Sequence, residues 1–358
     1  KNVGIFDTTV FNPSVFEKYV SQIERTRTNE LVNSSAIIER PDLKLRMQEQ
    51  VGGNIIVTPI RGLLGGDADN YDGQTDITTD GTSTLYQKRV VVGRAHGWTE
   101  KDFAYDITGG EDPMENVANQ ILDWWAERKQ DSLLSILEGI FKMTKGENKK
   151  FVDTHTFEDK AFGQVTLNNA LQKAFGANKG KFAAAIMNSA VATQLENLQL
   201  IQYAKYTDAR GIERPMALAS LNGRPIIIDD SLPVVDGKYT SYILGKGAFE
   251  YTDAGAKTPY EPFRNPAKNG GETSLFVRNR WCYAPRGISF TEASMSSLSP
   301  TDKELATGTN WEVVKGPNDV TFPLEQIPIA RVITEVGDLS GADVQINADE
   351  VNVEGAGA

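Results

Sequence analysis

The sequence predicts a mixed α+β chain whose outlying segments have no room in a single core. Three observations carry this. Residues 111–143 hold a helical apolar period that outruns the usual globular helix. Two strand-like runs within 53–99 are separated by a long loop of glycines and aspartates. From about residue 166, short buried strands alternate with amphipathic helices.

Residues 1–52 read as an N-terminal arm. Asn12-Pro13-Ser14 opens a helix-like stretch with Val15, Tyr19 and Ile23 on one face, and a second patterned stretch runs from Leu43 to Gln50. Asn54–Ile60 and Leu85–Ala95 then read as strands. Between them lie some 24 residues with Gly62, Gly65, Gly66, Gly73 and Gly81 and the acids Asp67, Asp69, Asp72, Asp76 and Asp80. Such a loop is uncommon inside a compact domain and has too few apolar residues to bury itself. Residues 53–99 are therefore expected to form a long hairpin projecting from the body.

In 111–143, Met114, Val117, Ile121, Trp125, Leu133, Leu137 and Ile140 recur at three-, four- and eight-residue steps. Pro113 suits a first helical turn. Asp112 and Glu115 near the start, with Lys142 and Lys145 near the end, suit the helix dipole. Gly146 is the expected stop. At 1.5 Å per residue this is a rod of about 50 Å. The adjacent Trp124 and Trp125 point about 100° apart on such a helix, so at least one belongs in a core and the other is free to face a partner.

Downstream, Leu167–Phe175 reads as a helix, Phe182–Met187 as a buried strand, and Ser189–Ala204 as a helix with Val191, Leu195, Leu198 and Ile201 on one face. Arg224–Ile228 is a strand ending in Asp229-Asp230. Strands at Tyr239–Leu244 and Phe249–Thr252 flank Gly245-Lys246-Gly247, and Thr273–Phe290 supplies two strands divided near Pro285. Ile327–Val336 is strand-like. Residues 338–358 carry five acidic and no basic residues, with strand-like alternation at Val344/Ile346 and Val351/Val353, and are expected to rest on a neighbouring surface.

A length of 358 residues allows two or three domains, and 40% hydrophobic residues exclude wholesale disorder. No run approaches the roughly 18 apolar residues of a membrane span, and Lys1–Asp7 lack the apolar core of a signal peptide. The single cysteine, Cys282, excludes an intrachain disulfide framework; with only His96 and His155 beside it, zinc ribbons and three-histidine sites are excluded too. A formal charge of −11 argues against a generally basic nucleic-acid binder.

Catalytic signatures are missing. Gly176–Lys181 approaches a phosphate loop, but Phe182 stands where the hydroxyl belongs. Gly245-Lys246-Gly247 lacks the third glycine of a dinucleotide fingerprint. Read as a calcium loop from Asp67, Asp69 fits position 3, but Tyr71, Asp72 and Thr78 occupy positions 5, 6 and 12. Asp153-Thr154-His155 reads as a surface turn, and Asp229-Asp230 as turn or cap chemistry, because neighbouring strand residues face opposite ways. No catalytic, cofactor-binding or metal-binding residue is predicted.

The order of these elements resembles the major capsid proteins of tailed bacteriophages, which share the Johnson fold. Local stretches carry the likeness: Ala126-Glu127-Arg128-Lys129-Gln130-Asp131-Ser132-Leu133-Leu134 in the long helix, Met187-Asn188-Ser189-Ala190-Val191, Leu221-Asn222-Gly223-Arg224-Pro225-Ile226-Ile227-Ile228-Asp229-Asp230 and Tyr242-Ile243-Leu244-Gly245-Lys246-Gly247-Ala248. Arg278-Asn279-Arg280, Pro285-Arg286-Gly287-Ile288, Asn310-Trp311-Glu312 and Ile327-Pro328-Ile329-Ala330 are similar to coat motifs as well. The resemblance implies an N-terminal arm (1–52), an extended β-hairpin loop (53–99), a peripheral domain (100–165) with its spine helix (111–143), and a central α/β axial domain (166–272). Return strands (273–298) and a C-terminal extension (299–358) complete it.

It further implies a structural subunit, not an enzyme and without cofactors, that assembles in the host cytoplasm into hexamers and pentamers of an icosahedral-type virion shell around double-stranded DNA. Implied partners are further copies of the chain, a scaffolding protein, a portal, decoration proteins and packaged DNA contacted without sequence preference. Arg61, Lys88, Arg89 and Arg94 flank the long loop, and Asp67, Asp69 and Asp72 sit in its acidic middle. Basic base and acidic tip are expected to meet opposite charges on adjacent subunits, with Trp124 and Trp125 as further inter-subunit contacts. Other readings stay open on the sequence: an encapsulin-like compartment, another virion part such as a decoration or tail protein, or a soluble cation-dependent enzyme whose carboxylates converge in one pocket.

Overall fold

The structure, a computed structural model, describes residues 35–48, 54–61, 68–71, 74, 84–102, 113–207, 213–221, 223–316 and 320–336. The expectations for the arm before residue 35, for most of the long loop and for the acidic tail after 336 lie outside these residues. In chain order come β1 (Ile37–Glu39), α1 (Asp42–Gln48), β2 (Ile55–Arg61), β3 (Thr84–Val90), β4 (Val92–Lys101) and α2 (Pro113–Ile140). Then follow α3 (Gly146–His155), β5 (Thr156–Asp159), α4 (Gln164–Phe175), β6 (Phe182–Met187), α5 (Ser189–Asn197), β7 (Ile201–Thr207), β8 (Glu213–Leu221) and β9 (Arg224–Ile228). The last are β10 (Val234–Val235), β11 (Lys238–Gly245), β12 (Phe249–Asp253), β13 (Tyr260–Asn265), β14 (Glu272–Pro285), β15 (Ile288–Phe290), α6 (Asp302–Leu305), β16 (Trp311–Val313) and β17 (Ile329–Glu335).

Among the described residues the strands build two main sheets and two small ribbons. The eight-stranded sheet runs β5-β17-β11-β6-β9-β8-β7, with β10 beside β11; the five-stranded sheet runs β1-β12-β14-β13, with β4 beside β14. The larger sheet is a middle layer. Phe182–Met187 is apolar throughout because both its faces are covered: Ala184 and Ile186 join the core under α2, while Phe182, Ala185 and Met187 join the core under α4 and α5. β11 divides in the same way, with Tyr242 and Leu244 on one side and Ile243 on the other.

Helix α2 buries Ile121, Trp125, Leu133, Leu137 and Ile140, five members of the stripe its periodicity predicts; the side chains of the other two, Met114 and Val117, lie outside the described residues. At 28 residues it is a rod of about 42 Å. The expected stop at Gly146 is corrected: the helix ends at Ile140, and Gly146, at φ +54°, opens α3. A close crossing accompanies the early end. A Cβ on Gly139 would lie 2.0 Å from the Leu305 carbonyl, and one on Gly308 would lie 2.1 Å from that of Lys142, so the end of α6 and the residues after it press directly on the end of α2 and the residues that follow. Within the stripe, Lys129 is buried; its ammonium donates to the Tyr251 hydroxyl at 2.6 Å and lies over the rings of Tyr251 and Trp281.

Three further expectations are corrected. The helix expected over Ser189–Ala204 ends at Asn197. Gln199 takes φ +55°, its N–H donates to the Glu196 carbonyl and the Leu200 N–H to that of Leu195, a Schellman closure that releases Ile201 into β7. The run Leu85–Ala95 breaks at Val91, with β3 paired to β2 and β4 to β14. Residues 299–336 are no appendage: Leu305, Trp311, Phe322 and Ile329 are buried, and β17 lies between β5 and β11 inside the larger sheet. β12 and β13 pair with β14 in the five-stranded sheet. The Gly245-Lys246-Gly247 turn carries the chain from one sheet to the other, with Gly247 at φ +70° donating its N–H to the Ser35 carbonyl. Among the described residues no helix is long and apolar enough to cross a membrane.

Candidate inter-subunit contact site

β2 and β3 pair antiparallel from Ile55↔Val90 to Arg61↔Thr84. Alternation gives this ribbon two faces. Ile56, Thr58, Leu85, Gln87 and Arg89 point inward and are buried; Val57, Pro59, Tyr86 and Lys88 point outward, with Val57 51% and Tyr86 55% exposed. The root of the hairpin therefore lies on the body by one face, which revises the picture of a ribbon projecting free along its whole length. Its outer face pairs Pro59 with Tyr86 and Val57 with Lys88 and presents apolar area to solvent.

The inner face is bolted down by polar groups. Gln87 Nε2 donates to the carbonyls of Pro285 at 2.7 Å and Ile288 at 2.9 Å, and the Lys88 N–H donates to Ser289 Oγ at 3.1 Å. Arg89 is 5% exposed. Its Nε donates to Thr58 Oγ1 at 2.8 Å and its Nη1 to Glu250 Oε2 at 2.6 Å. The same Glu250 oxygen accepts from Arg40 Nη1 at 3.1 Å, and Arg40 also clamps Asp42. That hydrogen bond holds the Asp42 carboxyl below the usual carboxylate range, while the Arg40 guanidinium is raised by the same contact.

The nine predicted contact residues thus separate. Arg89 is corrected to an intrachain fastener, because burial leaves its guanidinium no surface to offer. Arg94 is largely engaged as well: Nη1 donates to the Pro300 carbonyl at 2.8 Å and Nη2 to Asp302 Oδ1 at 2.7 Å. Trp125 is buried, edge-on to Trp281 at 5.9 Å. Trp124 is half-buried, stacked on His96 at 5.2 Å, with the Arg128 guanidinium 5.9 Å from its ring centre. Lys88 and Asp69 are exposed. Arg61 ends β2; its side chain, Asp67 and Asp72 lie outside the described residues.

The other singled-out residues have structural roles. Asp229 Oδ1 accepts from the Ser231 N–H at 2.9 Å, and Asp230 Oδ1 accepts from the Ser189 N–H at 3.0 Å at the start of α5, which is turn and cap chemistry. His155 is buried at the end of α3 instead of lying in a surface turn, and burial pushes its pKa down to about 4. Burial pushes the Cys282 thiol up to about 12, which disfavours its thiolate. Among the described residues no group of three or more His, Cys, Asp or Glu is placed to hold a metal ion. Sequence reasoning missed Gln87 and Glu250. Gln87 alternates with Leu85 and Arg89 along β3, a signal that could have placed it inward, but nothing local marks Glu250, 161 residues away, as the partner of Arg89.

Comparison with known proteins agrees with this architecture. A family model described as major capsid protein 13-like matches residues 114–321, more than half of the chain. The major capsid protein of Bacillus phage SPP1 is 28% identical over 316 residues, covering 87% of this chain and 94% of that protein. Among solved structures, the capsid of cyanophage Pam1 superposes with a TM-score of 0.51 at 9% identity, covering 88% of this chain and 94% of that one. The head of Helicobacter pylori bacteriophage KHP40 gives 0.50 at 12% identity, covering 79% and 84%. These two likenesses show the fold. By the family match the chain belongs to the major capsid protein 13-like family: it is a bacteriophage coat subunit, and its copies form the capsid of the virion.

Proposed function

We propose that the chain is a structural tile, without a catalytic step, of an icosahedral-type head built from hexamers and pentamers around double-stranded DNA. The observation that carries this is the two-faced root of the β2–β3 hairpin. A ribbon whose inner face is fastened to its own body and whose outer face shows Val57, Pro59 and Tyr86 is suited to contact between chains, where buried area supplies stability. The hairpin, the arm before residue 35 and the tail after 336 then bridge subunits, and the two sheets with α2 form the tile. Within the predicted contact set, Lys88 and Asp69 are assigned to subunit boundaries by their exposure, Trp124 by the part of its ring left uncovered, and Arg61, Asp67 and Asp72 by their place in the loop.

A scaffolding protein, a portal and decoration proteins are the further partners this role calls for. The formal charge of −11 suits a container whose wall does not bind its contents tightly. Negative-stain microscopy of particles made by the full chain, with nuclease-resistant nucleic acid measured in the same fraction, tests the proposal. Closed shells holding duplex DNA support it; a compact monomer at every concentration contradicts it.

A further inference from the structure

Residues 291–301 link β15 to α6, and many of their polar groups are tied down. The Glu304 carboxylate accepts from the N–H and hydroxyl of Ser296 at 2.7 and 3.0 Å, the hydroxyl of Ser297 at 2.8 Å, and the N–H and hydroxyl of Thr301 at 2.8 and 3.0 Å. These donors hold that carboxyl far below the usual range. The Ser294 N–H donates to Asn310 Oδ1 at 2.6 Å, Ser299 Oγ accepts from the Gly93 N–H at 2.9 Å, and the Asn54 side chain donates to the Leu298 carbonyl. The loop is therefore fixed to the hairpin root, to β4 and to α6 together.

At its tip Leu298 is 93% exposed, the highest value among the described large apolar side chains. Single exposed leucines are ordinary. Two features set this one apart. Its mount is already ordered, so binding through it costs little further entropy. Around it, residues 293–301 carry no ionisable side chain of their own, and the Glu304 carboxylate that borders them is engaged by five donors. Copies of a chain with formal charge −11 repel one another, so contact between copies is least costly where the surface is uncharged.

We propose that Leu298, displayed on this wired loop that has no ionisable side chain of its own, is an anchor that inserts into another copy of the chain in the shell. The inference rests on the coat-subunit reading. Glu304 is the positioning residue that holds the anchor in place from within its own subunit.

Full-length wild-type, Leu298→Asp, Leu298→Ser and Glu304→Gln chains are expressed with the phage's other head proteins, and particles are counted after sedimentation. Both Leu298 variants should fold, melting within about 2 °C of wild type, because the side chain packs on nothing of its own chain. Their particle yield should fall at least about tenfold, the worth of one buried leucine. Glu304→Gln, which keeps Leu298 and loosens its mount, should show a smaller loss of about threefold. Folded Leu298 variants that assemble at wild-type yield overturn the anchor. Wild-type chains that form no particles overturn the coat reading itself.

Discussion

Arg89 Nη1 donates to Glu250 Oε2 at 2.6 Å, joining the root of the hairpin to β12 of the five-stranded sheet. The guanidinium is buried and the carboxylate is its only charged partner within salt-bridge distance among the described residues. Glu250→Ala would strand that charge, which costs about 3 kcal/mol. Urea unfolding of the soluble subunit should show the loss. A change below about 0.5 kcal/mol, the range of an ordinary surface substitution, contradicts the fastener role.

Gly139→Ala pits two effects against each other. Alanine gains up to about 1 kcal/mol in a helix interior. Here its methyl would stand 2.0 Å from the Leu305 carbonyl, which forces α2 and α6 apart. Overpacking costs about 1–3 kcal/mol, so net destabilisation is expected by calorimetry. A raised melting temperature would mean the crossing is looser than the structure shows.

His155 sets a pH dependence. It stacks on Phe151 at 4.3 Å, and burial lowers its pKa from 6.5 to about 4; the backbone carbonyls of Phe151, Leu324 and Ile327 oppose that shift without cancelling it. The unfolded chain therefore binds a proton below 6.5 that the folded chain refuses until about 4, and stability falls as pH drops through that window. The full effect is roughly 3 kcal/mol. Comparing unfolding at pH 7 and pH 4.5 for wild type and His155→Phe checks it: the variant should lose less stability on acidification. Equal losses count against the buried neutral imidazole.

Deleting 62–83 removes the loop and leaves β2 and β3 to be joined by a short turn. The inner-face bonds of Gln87 and Arg89 lie outside the deletion. Soluble, cooperatively folding subunits that fail to close shells are expected. Normal particles from this variant would remove the loop from assembly.

Much of the fold was legible because it rests on period. Phe182–Met187 is the strand its unbroken apolar run predicts, and the stripe of α2 is the one its spacing predicts. What stayed hidden depends on distant partners. Ile201 continues the helical pattern of α5 and lies on a strand, because the closure at Gln199 is made by a residue that carries no strong turn signal. Ile329–Glu335 reads as a terminal strand, yet only pairing with β5 and β11 shows that it is interior. At the contact site, the two strands were legible but their two faces were not, and counting Arg89 as a surface charge failed because Glu250 and Thr58 could not be foreseen as its neighbours. Leu298 was invisible for the same reason, since its loop is ordered by Glu304 and Asn310.

The most direct measurement is a residue-resolution map of the assembled shell. Val57 and Tyr86, open to solvent on the lone chain, should be covered there by a second copy. A closed shell in which both still face water would contradict the account.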